Sequence, residues 1–81
     1  MKVYLLKFRD YYDDPVTDIG VFSTQEKAKD YVVLHKNEYT GIHPLANPKW
    51  KEFPGYIQWY FKVESIDQAF DIIEFEIDGV I

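Results

Sequence analysis

Apolar and polar residues alternate along two stretches of this chain, and each alternation predicts a β-strand. The clearer stretch is YIQWYFKVE, residues 56–64, whose core-facing set is predicted to be Ile57, Trp59, Phe61 and Val63. The opposite set contains Tyr56 and Tyr60. In FDIIEFEID, residues 70–78, the alternation assigns Ile73, Phe75 and Ile77 to the core and Glu74, Glu76 and Asp78 to solvent.

The beginning of the chain predicts a hairpin. KVYLLKF, residues 2–8, is a short apolar run that fits a strand in the sheet interior. The polar run that follows contains Pro15 and three acids, which favours a loop, and a second strand is expected near residues 17–22.

A helix is predicted over residues 23–37. Ser23 and Glu26 have the S-x-x-E spacing of a capping box, in which the Ser hydroxyl and the Glu carboxylate each bond a backbone amide. A narrow buried stripe at helical spacing is expected to comprise Ala28, Tyr31, Val32 and His35.

Residues 38–55 contain three of the four prolines and two of the four glycines, which argues against a continuous strand or a long helix. Asn47 followed by Pro48 is a favoured helix start, so a turn or two of helix is expected over residues 48–53. SIDQ, residues 65–68, is read as a break between strands that equally fits one helical turn.

Together these elements predict a single α+β domain over residues 1–81. We expect an antiparallel sheet of three or four strands in the order ββαββ, with one main helix on one face. One helix leaves the second sheet face to be covered by residues 38–55, by another protein or by solvent. Tyr4, Leu6 and Phe8 are expected to join Tyr56 and Tyr60 on that face, forming an apolar patch of the kind that marks interfaces.

Composition narrows the class of protein. Hydrophobic residues make up 47% of the 81 residues, and aromatic residues 19%, which is enough for a core without metals or disulfides. The absence of cysteine excludes disulfides, a thiolate zinc site and a cysteine nucleophile, and it favours a cytoplasmic location. The apolar run at the N-terminus is too short for a signal peptide or a membrane span.

Charge is distributed unevenly. Residues 1–62 hold eight acids and nine bases, net +1, whereas residues 63–81 hold six acids and no base, net -6. Such an acidic segment repels phosphates, so nucleic-acid binding is not expected there. It is expected to attract a basic partner surface, with an association that weakens as salt rises.

Three segments carry a resemblance: VYLL (residues 3–6), GVFSTQEKA (residues 20–28) and FDIIEFEID (residues 70–78). They resemble a family of small uncharacterised phage and bacterial domains with an opening strand, a G-x-F/Y-S-x-x-E-x-A strand-to-helix junction and a closing F-x-I-x-E-Y-E-L-D strand. Phe75 and Ile77 replace the closing Tyr and Leu, and residues 38–66 are longer than the usual connector. The resemblance implies a domain of unknown function of bacterial or phage origin, and no activity.

Candidate chemistry is sparse. Ser23, Thr24 and Glu26 are explained by helix capping. His35 and His43 have no recognised ligand spacing, and the acids Asp10, Asp13, Asp14 and Asp18 lack the glycine and terminal Glu of a regular calcium loop. Glu74 and Glu76 on one strand face offer no contrast of environments for acid and base catalysis. No catalytic residue, cofactor or metal is expected.

The function that remains is a non-enzymatic interaction module that binds a partner protein or a second copy of itself. Tyrosine is enriched at recognition surfaces, and the expected contact residues are Tyr11, Tyr12, Tyr56, Tyr60, Glu74 and Glu76. The alternative is a small-ligand site between residues 38–55 and the sheet, with walls formed by Trp50, Tyr56 and Trp59.

Overall fold

The computed structural model describes residues 1–10, 16–40, 48–63 and 65–77. In chain order its elements are β1 (Lys2–Asp10), β2 (Val16–Phe22), α1 (Gln25–Thr40), β3 (Lys51–Phe53), β4 (Tyr56–Val63) and β5 (Ile66–Glu76). The strands form one antiparallel five-stranded sheet in the order β2-β1-β5-β4-β3. The α+β class is confirmed, but the sheet has five strands where three or four are predicted, and the described elements run ββαβββ and not ββαββ.

The fifth strand comes from the segment in which a short helix was expected. Residues 51–53 form β3, which pairs with β4 across a two-residue turn at Pro54 and Gly55. Gly55 has φ +82°, the left-handed value that the third position of a type II turn requires, and Pro54 supplies the φ of the second position. The proline and glycine therefore define a hairpin here, and Asn47 lies outside the described residues.

Of the break predicted at residues 65–68, only Ser65 lies in a turn, and residues 66–68 already belong to β5. Val63 pairs directly with Ile66, and Ser65 adopts φ 71° at the turn. β5 therefore begins at once, because cross-strand pairing along the whole of β4 stabilises an extended chain more than a lone helical turn would.

The inward set of β5 is shifted by one residue from the expectation. Phe70 and Ile72 are each 1% exposed, whereas Phe75 and Ile77 are exposed. Apolar residues occur at both odd-numbered and even-numbered positions of this strand, so alternation alone does not fix which set faces the helix. Pairing with β1 decides it, since Leu6 lies opposite Ile72.

The same pairing corrects β1. Leu6 and Phe8 are buried on the helix side with Tyr4 packed beside them, so they do not join Tyr56 and Tyr60. Phe8 lies opposite Phe70, with ring centroids 5.0 Å apart.

Helix α1 covers β1, β2 and β5. The expected stripe is confirmed, because Ala28 and Val32 are buried and Tyr31 and His35 are partly buried. The core cluster comprises Leu6, Phe8, Ala28, Val32, Ile57, Trp59, Phe70 and Ile72. Burial of these side chains between one helix and one sheet face is the main source of stability.

The helix begins one residue later than the capping box predicts. Thr24 Oγ1 accepts a 3.1 Å hydrogen bond from the backbone amide of Lys27, so Thr24 is the N-cap. Ser23 Oγ instead accepts from the Lys27 ammonium, and Glu26 pairs with Lys29 at 3.6 Å. Ser is in general the better N-cap of the two, so the start at Thr24 does not follow from capping preference.

Both outer strands resist pairing with another sheet edge. In β2 the partners of Leu6 and Lys7 are Gly20 and Asp18, so Ile19 is an extra residue that forms a β-bulge. At the other edge β3 has only three residues. A bulge and a short strand are two common ways in which an edge avoids adding a further strand.

Candidate interaction surface

The sheet face opposite α1, here called the open face, carries nine large apolar side chains that are exposed or only partly buried. The register places on it Val3, Leu5, Val16, Val21, Phe53, Tyr56, Tyr60, Ile73 and Phe75. Tyr60 is 51% exposed, Val21 62% and Phe75 45%. The described residues include no element that packs over this face.

Two predicted contact residues, Tyr56 and Tyr60, lie on the open face. Tyr56 is partly buried because its ring stacks on Phe53 of the neighbouring strand, with centroids 4.8 Å apart and planes 8° from parallel. The stack holds two flat, rigid rings at the surface. Such rings supply contact area at little entropic cost on binding.

A buried polar cluster crosses the middle of the open face. Asp71 is 2% exposed and accepts hydrogen bonds from Arg9 Nε at 2.7 Å and from Gln58 Nε2 at 2.8 Å. These three residues, with Tyr56 and Ile73, line a shallow depression of about 410 Å³. Each carboxylate oxygen of Asp71 has a donor, as a buried charge requires.

Glu74 and Glu76, the predicted acidic contacts, lie on the helix side of the sheet. Glu74 is opposite Tyr4, whose hydroxyl donates to Glu74 Oε1 at 3.3 Å, and Lys2 Nζ lies 3.5 Å from the same oxygen. Glu76 Oε1 lies 3.3 Å from the Met1 amine. A flat partner therefore cannot contact the two tyrosines and the two glutamates together.

The remaining acids of β5 face the other way and also have cations beside them. Asp71 has Arg9, and Asp67 lies 3.8 Å from Lys62. The concentration of negative charge that the sequence indicates in this segment is thus reduced by cations from β1 and β4. Electrostatic attraction to a basic partner would be weaker than the segment's charge alone suggests.

Tyr11 and Tyr12 lie outside the described residues. Leu5, Val21 and Ile73 are members of the open face that were not predicted from the sequence. The apolar run in β5 is compatible with Ile73 on either side of the sheet. Only the pairing of β1 with β5 shows which side it faces.

The walls of the predicted ligand pocket do not meet. Trp50 and Trp59 contact each other edge to face on the helix side, with centroids 6.3 Å apart, and Trp59 is 5% exposed. Tyr56 lies on the opposite side of the sheet, since it pairs with Ile73.

Groups that resemble catalytic or metal-binding sets are engaged in structural contacts. His35 stacks on Tyr31 at 4.2 Å, and its Nδ1 lies 3.1 Å from Glu38 Oε1. Among the described residues, no group of three or more His, Asp or Glu side chains could hold a metal ion.

The helix of the described chain has neither the length nor the apolar content needed to cross a bilayer.

A scan against protein-family models found no match, and searches of curated proteins and of solved structures found no significant one. The resemblance to small phage and bacterial domains therefore stays a prediction. Any function must be argued from the geometry of the chain itself.

Proposed function

We propose that this protein is a non-enzymatic, cytoplasmic interaction module of phage or bacterial origin that binds a protein through the open face of its sheet. Tyr56 and Tyr60 are its central contact residues. The phage or bacterial origin rests on the resemblance of the three segments described above.

The observation that carries the proposal is the exposure of large apolar side chains on one side of the sheet. Val21, Tyr60 and Phe75 are 62%, 51% and 45% exposed and lie on the same face. Scattered exposed apolar residues are ordinary, but a shared face with a rigid aromatic stack is characteristic of interfaces.

The contribution of Glu74 and Glu76 is proposed to be secondary. Both side chains are more than 40% exposed, and each has a cation beside it on the side of the sheet away from the tyrosines. They add to the negative field of the chain and so influence the rate of association more than the contact itself.

Site-specific photo-crosslinking in the native cells tests the proposal. A benzoylphenylalanine in place of Tyr60 should yield an adduct with another protein molecule, and one in place of Leu34 should not. Leu34 is a matched control, since it is 78% exposed but lies on the helix. Equal adducts from both positions, or none from position 60, would refute the proposal.

A further inference from the structure

We infer that the occupant of the open face is a second copy of this chain, packed face to face about a two-fold axis that runs along β5. This inference rests on the proposed function and names its partner. Four observations on the described residues support it: the charge balance of the face, its area, the order of its residues, and the bulge and short strand at the two sheet edges.

The charge balance of the open face allows a partner that has the same net charge as this chain. The chain has a net charge of -5, so two copies repel at most orientations. On the described strands the open face carries four cations, Lys7, Arg9, Lys51 and Lys62, and three acids, Asp18, Asp67 and Asp71, for a net of 4 - 3 = +1. Unlike the chain as a whole, the described strands carry no excess of negative charge on the open face, so this face adds little repulsion between two copies.

The area of the face suits a small dimer. Five strands about 4.8 Å apart and nine paired residues that rise about 3.4 Å each give a face of roughly 20 by 30 Å, or about 600 Å². Two such faces would bury on the order of 1,200 Å², which reaches the lower end of specific interfaces.

The order of residues across the sheet is self-complementary. A two-fold axis along β5 exchanges β1 with β4 and β2 with β3, and it keeps each cross-strand row at the same level. The apolar row runs Val21, Leu5, Ile73, Tyr56 and Phe53. Reversal of this row brings Leu5 against Tyr56 and Val21 against Phe53, while Ile73 meets its own copy.

The neighbouring row is complementary in charge. It runs Asp18, Lys7, Asp71, Gln58 and Lys51. Reversal brings Asp18 of one copy against Lys51 of the other at both rims of the interface. At the centre Asp71 meets Asp71, but each carboxylate is 2% exposed and already hydrogen-bonded to Arg9 and Gln58.

Packing of the two sheets face to face is also favoured over joining them edge to edge. The bulge at Ile19 and the three-residue length of β3 disfavour joining sheets at their edges. Two sheets packed face to face with nearly aligned strands form a sandwich, and a two-fold axis along the central strand is compatible with the usual angle of about 30°.

A charge-swap mixing experiment tests the inference. Asp18 and Lys51 lie on opposite edges of the sheet, about 19 Å apart within one copy, so they cannot contact each other in a monomer. Asp18→Lys and Lys51→Asp should each weaken the dimer about tenfold or more, because each places like charges at both rims. An equimolar mixture of the two variants should recover a mass of twice 9.7 kDa by sedimentation equilibrium.

Recovery in the mixture can arise only between copies. Ile73→Lys, which places two cations on the axis, should leave a monomer with an intact fold by circular dichroism. A wild-type mass that stays at 9.7 kDa up to about 1 mM would overturn the inference, as would a dimer that none of the three variants weakens.

The two proposals fail in different ways. A photo-adduct from position 60 with the mass of two chains supports both. A position-60 adduct of any other mass overturns the second-copy inference while leaving the interaction module in place. No adduct from position 60 overturns the interaction module.

Discussion

Arg9 Nε donates a 2.7 Å hydrogen bond to Asp71 Oδ2 and so joins β1 to β5 at the centre of the open face. Gln58 donates to the other carboxylate oxygen from β4, at 2.8 Å. Three strands are thus connected through one carboxylate that is 2% exposed. The open face combines apolar contact area with a buried charge whose stability depends on both neighbours.

Arg9→Met should lower the free energy of unfolding by about 1–3 kcal/mol, because it leaves the buried Asp71 carboxylate without its charged donor. The loss stays below that of a fully buried pair, since the Arg9 side chain is 41% exposed and water partly replaces it. Urea unfolding measures the change. Lys62→Met is the control: its exposed pair with Asp67 spans 3.8 Å and should contribute less than about 1 kcal/mol. Equal losses would show that Asp71 is not the critical acceptor.

Thr24→Ala should destabilise the protein by about 1 kcal/mol, since Thr24 Oγ1 satisfies the Lys27 amide at the helix start. Ser23→Ala should change stability by less than about 0.5 kcal/mol, because Ser23 contacts only the Lys27 ammonium at the surface. Thermal denaturation of the two single variants distinguishes the caps. A larger loss at Ser23 would restore the capping box that the sequence predicts.

Clean periodicity is what made parts of this fold predictable. Ala28 and Val32 recur at helical spacing, and Tyr56 and Tyr60 lie at even positions of β4 whereas Trp59 lies at an odd one, so their faces follow from the sequence. The inward set of β5 does not follow, because apolar residues occur at both odd and even positions. In β1, Lys7 and Arg9 mark the opposite set from Leu6 and Phe8, but the side of the sheet that each set faces depends on pairing with β5.

The open face could be predicted only as a pair of tyrosines. Its other apolar members come from β1, β2 and β5, whose register depends on contacts between the two ends of the chain. Loop rules also misled the prediction at Pro54 and Gly55, because a proline followed by a glycine ends long elements and also forms tight hairpins.

Leu5 and Leu6 provide a matched test of the faces assigned to β1. Leu6 is fully buried, so Leu6→Ala should cost about 2–5 kcal/mol through lost burial and the cavity that remains. Leu5 is only partly buried on the open face, so Leu5→Ala should cost a smaller amount, about 1 kcal/mol. Chemical denaturation at low protein concentration keeps association out of the comparison. Similar losses for both variants would mean that the faces of β1 are assigned wrongly.

Two turns with positive φ should respond in opposite directions to substitution. Gly55→Ala adds a methyl group into open space, so its cost of about 1 kcal/mol would arise from backbone strain alone at φ +82°. Ser65→Gly removes a similar strain at φ 71° and should be neutral or stabilising by up to about 1 kcal/mol. Melting temperatures of the two variants check this, and a loss at Ser65→Gly would indicate that the Ser65 side chain makes a stabilising contact.

The sign of the salt dependence separates a second copy from a basic partner. Two copies of net charge -5 repel, so their association should strengthen as salt rises from about 10 to about 150 mM and the Debye length falls from about 30 Å to about 8 Å. The two rim contacts between Asp18 and Lys51 oppose this trend, but they are few against the charge of two whole chains. The combined substitutions Glu74→Gln and Glu76→Gln reduce the net charge to -5 + 2 = -3 and lie on the helix side. They should therefore flatten the salt dependence without removing the dimer. Self-association that weakens with salt would indicate that attraction to the acidic strand, and not the apolar open face, drives the contact.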